Sequence, residues 1–76
     1  MIGVTFEEAK KTITSGKYRH FKGNEYEVIA VARDSEDLKP VVVYRALYGE
    51  GELWVRPAEM WFEPVGDGSV TRFTRI

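Results

Sequence analysis

The sequence predicts a mainly β protein: a small antiparallel barrel of five to six strands with one N-terminal α-helix. Three observations point there. Helical spacing of apolar residues is confined to the first segment. From Tyr18 onward, short β-branched and aromatic runs alternate with Gly, Asn and Asp turn signals. The chain has 76 residues, which leaves room for one domain. Closing several short strands on themselves removes exposed edges.

The helix comes first. Thr5 is a good N-cap, and Glu8 three residues later completes a capping box. Phe6, Ala9 and Ile13 recur at helical spacing and form one apolar stripe. Ser15-Gly16 is expected to close the segment, with Gly16 at the left-handed C′ position. Residues 1–16 are thus assigned to a helical segment and 17–76 to the barrel.

The first strand is expected over Tyr18 to Lys22, ending at the Gly23-Asn24 turn. Tyr26 to Arg33 follows, with Tyr26, Val28, Ala30 and Ala32 on one face and Ile29 and Val31 on the other. Asp34 to Lys39 reads as a polar loop, and Ser35-Glu36-Asp37 within it as a solvated turn rather than an acid/base group. Pro40 opens the next strand, and Val41 to Tyr48 is the strongest strand signal. Gly49-Glu50-Gly51 turns the chain so that Leu53 to Arg56 returns antiparallel. Pro57-Ala58-Glu59 reads as a turn or a single 3₁₀ turn. Met60 to Glu63 is expected as another strand, Gly66-Asp67-Gly68 as a last turn, and Thr71 to Arg75 as the closing strand.

Composition narrows the function. The chain is 43% hydrophobic and 13% aromatic, enough for one core and too much for a disordered chain. It has no cysteine, which excludes disulfides, thiolate metal sites and a cysteine nucleophile. A small domain without such staples is expected in the cytoplasm. The N-terminal MIGVTFEEAKK lacks the basic start and apolar run of a signal peptide, and no apolar stretch has bilayer-spanning length. Eleven basic against twelve acidic residues give a net charge of -1, without the basic excess of a duplex-binding domain. Nucleophile-elbow, Walker and dinucleotide patterns are absent, so no cofactor is expected and the balance is against an enzyme.

Several ordered blocks carry a resemblance. Tyr18-Arg19-His20-Phe21-Lys22-Gly23-Asn24, Tyr26, Val42-Val43-Tyr44-Arg45-Ala46-Leu47-Tyr48, Leu53-Trp54-Val55-Arg56-Pro57, Met60 and Phe62 resemble the bacterial family of domains of unknown function numbered 1653. The resemblance runs from Gly16 to about Val65 and extends to Arg72-Phe73. It implies an SH3-type small β-barrel and brings no activity and no catalytic residue with it. Trp61 stands where many relatives carry a smaller or different apolar residue, and no function attaches to it.

The residues that could carry a function are arginines interleaved with aromatics. Trp54 and Arg56 share a strand face, and so do Tyr44 and Tyr48. An arginine fork beside flat rings can hold a phosphate, a carboxylate or an unstacked base, and aromatic grooves can hold extended peptides. The expected contact surface is Tyr44, Tyr48, Trp54 and Arg56, with Arg19 and His20 as secondary candidates. The bland alternative is that the rings fill the core and the arginines lie over it. His20, the one histidine, could serve a small-molecule or hydrolytic site together with a carboxylate or Arg56. No metal site is expected from one histidine and no cysteine. Arg45, bracketed by Val43 and Leu47, is expected to be partly buried against Glu25, Glu27 or Glu59. The partner classes left open are a peptide, a protein or single-stranded nucleic acid, or a second copy through exposed aromatics; no membrane is expected.

Overall fold

A computed structural model describes residues 5–66, 68 and 70–76. The elements in chain order are α1 (Phe6–Thr12), β1 (Gly16–His20), β2 (Glu25–Arg33), β3 (Pro40–Ala46), β4 (Leu53–Pro57), a 3₁₀ turn (Ala58–Met60), β5 (Pro64–Val65), β6 (Val70–Thr71) and β7 (Phe73–Arg75). The fold is mainly β. Five strands make one antiparallel sheet in the order β4-β3-β2-β1-β7, and β5 and β6 form a separate two-stranded pair. No ladder joins β4 to β7, so the large sheet has two edges among the described residues.

The capping box forms as expected: the Glu8 amide donates to the Thr5 hydroxyl and the Thr5 amide to the Glu8 carboxylate, each at 3.1 Å. The helix stops sooner than expected, at Thr12 with Ile13 as its C-cap. Gly16 is not the C′ residue. It has φ 136 and already opens β1, where a Cβ would lie 2.6 Å from the Arg75 guanidinium.

Cross-strand partners share a sheet face. The pairs Tyr18↔Tyr26, Val28↔Tyr44, Tyr44↔Trp54, Val42↔Arg56 and His20↔Phe73 therefore set all these residues on one inner face. Tyr18, Val28, Val42, Tyr44 and Phe73 are buried there. Ala9 and Ile13 of α1, Ala58 of the 3₁₀ turn, and Trp61 close over them to form the core.

In β2 the expected alternation fails beyond Val28. A bulge between Val28 and Ala30 inserts one residue, so Val31 opposite Val42, not Ala30, returns to the inner face. Ile29 is left 43% exposed. The expected strand at Met60 to Glu63 is also replaced. Met60 completes the 3₁₀ turn, and Trp61 continues with helical backbone, φ -68 and ψ -48. This bend swings the indole under the sheet, where it is fully buried. Around the expected last turn, Gly68 donates to the Val65 carbonyl at 3.1 Å, while Asp67 lies outside the described residues, as does the segment 1–4.

The loop after β2 is closed by its own polar groups. The Asp34 carboxylate accepts from the Glu36 amide and the Asp37 carboxylate from the Lys39 amide, at 2.8 and 3.0 Å. That accounts for Ser35-Glu36-Asp37 as turn chemistry.

Candidate functional site

Four of the six candidate residues come together on the inner face or at its rim, one is core and one lies on the other side. Trp54 and Arg56 project from β4, and Trp54 is half exposed. His20 ends β1 on the same face. Tyr48 follows β3 in the turn and is also half exposed. Its hydroxyl bonds the Tyr26 hydroxyl at 2.8 Å, and their rings meet edge to face at 5.5 Å. Tyr44 is only 6% exposed and belongs to the core floor beneath them. Arg19 lies on the outer face, where it pairs with Glu25 at 3.2 Å.

The floor is a continuous aromatic cluster. Phe73 stacks on Trp61 with ring centroids 3.8 Å apart and planes nearly parallel. Tyr26 and Tyr44 meet Phe73 edge-on at 5.6 and 5.8 Å, and His20 does so at 4.9 Å. Over this floor lies the Arg56 guanidinium, 5.6 Å from the Phe73 centroid. Arg56 begins on one edge strand of the sheet and Phe73 on the other. The sheet is therefore curled enough for one edge to lean over the opposite one. The Arg56 Nε is buried without a hydrogen-bond partner, and no carboxylate pairs with Arg56 among the described residues.

The electrostatics follow. Burial, then the nearby Arg56, Arg72 and Lys22, hold the His20 imidazole below its ordinary 6.5. Its Nδ1 accepts the Lys22 amide at 3.2 Å, so it rests neutral with that nitrogen occupied. Burial and the hydrogen bond with Tyr48 push the Tyr26 hydroxyl up to about 12, so it stays protonated at neutral pH. A small notch of about 150 Å³ lies between Tyr48 and Trp54, edged by Glu50 and Glu52. It has room for one ligand side chain.

The His20 environment makes stability pH-dependent. The unfolded chain takes up its histidine proton near 6.5, before the folded protein does. Stability is expected to fall as the pH drops from above 6.5 through the lower folded value, and this share levels off below both. Urea unfolding of wild type and His20→Gln across that window checks it: wild type should lose stability relative to the variant as the pH falls. A gap independent of pH would remove the idea.

Elsewhere the arginines are spread over both faces. Arg45 is exposed, not partly buried, and donates to the Gly51 carbonyl at 3.1 Å. Its face is the outer one, opposite Glu27 and Leu53, so nothing covers it. Arg72 pairs with Glu63 at 2.7 Å, and Arg33 lies over Phe6 at 4.2 Å.

Sequence reasoning missed three features. Trp61 and Phe73 form the stacked floor; only the high aromatic content hinted at it. Tyr26 is a lining residue by virtue of its long-range bond to Tyr48. A larger groove, about 650 Å³, runs between α1 and the 3₁₀ turn and is lined by Ala9, Ile13, Ala58, Met60 and Phe62. Two of its three carboxylates are already engaged, Glu8 in the helix cap and Glu63 with Arg72.

The family model for a protein of unknown function, DUF1653, matches residues 16–75. The chain belongs to the DUF1653 family. A crystal structure of a DUF1653 protein from Bordetella bronchiseptica superposes with a TM-score of 0.78 at 34% sequence identity, covering 87% of this chain and 90% of that one. No curated protein matches the chain. The match begins at Gly16, so α1 precedes the part that the family model describes. Among the described residues, no helix is long and apolar enough to cross a membrane.

Proposed function

We propose that this DUF1653 domain is a non-catalytic binding module that takes an extended peptide segment carrying a carboxylate. The observation behind this reading is Arg56, a guanidinium laid on the Phe73 ring with its buried Nε unsatisfied, beside His20 and near exposed aromatics. A fork of donors over a ring favours a planar carboxylate, which it can meet with two parallel bonds. The notch between Tyr48 and Trp54 supplies a place for a neighbouring apolar side chain. Alternating pockets of this kind suit an extended chain.

Single-stranded nucleic acid is the weaker partner. A strand needs a track of cations, whereas here Arg19 and Arg72 are paired with acids and Arg45 lies on the opposite face. The alternative, a small-molecule or hydrolytic site using His20 with a carboxylate or Arg56, retains Arg56 beside the imidazole, with Arg72 and Lys22 as the other charged groups that act on it. An SH3-like barrel goes with the proposal, supported by the curl that brings Arg56 of β4 over Phe73 of β7. So does a cytoplasmic setting, supported by the lack of cysteine.

The test is an amide NMR titration of the labelled domain with short acidic peptides, with the same peptides in charge-free amide form, and with a mixed single-stranded RNA pool. Shifts around Arg56, His20, Tyr48 and Trp54 with the acidic peptides alone are expected. Trp54→Ala should weaken them without unfolding the domain. Shifts with RNA that fade with salt would replace the peptide reading; silence with all three would end it.

A further inference from the structure

The outer edge of β4 carries a second message, argued from its backbone and register; it goes beyond the peptide reading and engages the same Trp54 and Arg56. Among the described residues, β4 pairs with β3 on one side and with no strand on the other. Its residues Leu53, Trp54 and Val55 are 56%, 50% and 63% exposed, so both faces of an edge strand are apolar. Exposed edges are normally blunted by charge or shielded, because their free amides and carbonyls template pairing.

The register says which groups are free. The Ala46 amide donates to the Glu52 carbonyl at 3.0 Å, and hydrogen-bonded pairs recur every second residue of an antiparallel ladder. Trp54, opposite Tyr44, and Arg56, opposite Val42, therefore turn their backbone groups towards β3. Leu53 and Val55 turn theirs outward. Pro57, the next outward position, has no amide to offer.

We propose that the occupant of this edge is a second copy of the chain, joined β4 to β4 across a two-fold axis at Trp54. In this antiparallel register Leu53 of one copy faces Val55 of the other, twice, and each pair can exchange both backbone bonds. Glu52 of one copy falls opposite Arg56 of the other, so the acidic start of the strand meets its basic end. The two Trp54 side chains meet on the axis. A register shifted by two residues, centred on Val55, sets Leu53 against Pro57 and loses the amide there. A register centred on Leu53 sets Val55 against Gly51, which has φ 68 and lies outside the strand. The centred register alone satisfies every free group of Leu53 and Val55, and its interface is isologous, hence closed. It would join two five-stranded sheets into one of ten strands, with both aromatic floors on the same side.

The absence of cysteine makes the test clean. A directly opposed pair without hydrogen bonds sits about 4.5 Å apart at Cα, within the range a disulfide spans. Trp54→Cys should therefore oxidise to a covalent dimer, whereas Thr74→Cys on the other edge strand should stay monomeric. Sedimentation of the wild type should show a dimer, and Val55→Pro, which deletes one outward amide but no bond to β3, should return it to monomer with its circular dichroism unchanged. A wild type that sediments as a monomer at high concentration, higher-order species instead of a dimer, or equal cross-linking of the two cysteine variants would overturn the proposal. Should Val55→Pro unfold, the cysteine pair still decides.

Discussion

Trp61→Ala is expected to bring the domain close to unfolding at room temperature. Trp61 has no exposed surface, stacks on Phe73, and meets Tyr18 and Tyr44 edge to face at 5.5 and 5.0 Å. Truncating a buried tryptophan costs about 3–5 kcal/mol, because the lost transfer energy is joined by a cavity that a stiff aromatic cluster cannot close. At about 0.05–0.15 kcal/mol per residue, a domain of 76 residues has roughly 4 to 11 kcal/mol of total stability. The change removes a large part of that. With about 4–8 °C per kcal/mol at this size, thermal melts should shift down by roughly 12 °C or more. Trp61→Phe keeps the stack and removes the indole Nε1, which is buried without a partner, so it should lose far less. Trp54→Ala, at a half-exposed site, is the matched control and should melt close to wild type. A Trp61→Ala protein that melts within a few degrees of wild type would show that the core does not turn on this ring.

The contrast between the two tryptophans measures what was legible in the sequence. Period-two patterning placed β3 and β4, because local alternation there coincides with the faces of the sheet, but it ran β3 on to Tyr48, whereas the strand ends at Ala46 and Tyr48 falls in the turn. The capping box at Thr5 and Glu8 was legible for the same reason: every partner lies within three residues. The role of Trp61 was not, since Met60 to Glu63 carries the alternation of a strand while Met60 and Trp61 take helical backbone and Phe62 follows in a turn. The choice is made by the space under the sheet that only a large ring fills. The bulge in β2 was equally hidden. Val28, Ile29, Ala30 and Val31 are all apolar, so hydrophobicity does not say which one is skipped. For the candidate site, the residue types were readable and the assembly was not. Arg56 and Trp54 were named from one strand, but their neighbours Phe73, Tyr26 and His20 come from three others. Tyr44 and Trp54 are direct cross-strand partners, yet one is core and the other rim. That difference is set by distance from the sheet edge, which a one-dimensional pattern does not contain.

Arg56→Met is expected to separate binding from stability. An arginine kept only for packing would be missed by the fold. One kept for a ligand holds a cost in the free protein, since its buried Nε has lost water without gaining a partner. Methionine has a similar unbranched reach, can lie on the Phe73 ring through its sulfur, and leaves no polar atom unsatisfied. Replacing a buried charged group by a well-packed apolar one is often neutral or stabilising. Urea unfolding of Arg56→Met should therefore match wild type to within about 1 kcal/mol or exceed it. Binding of the acidic peptides should behave otherwise. A hydrogen bond to a charged group contributes about 1.5–3 kcal/mol, so affinity should drop roughly 10- to 150-fold. Arg56→Lys should recover only part of it, because a point charge does not reproduce the two-pronged geometry. The opposite pattern, a domain destabilised by several kcal/mol whose peptide binding is intact, would make Arg56 a structural lid on the aromatic floor and move the ligand elsewhere on the surface.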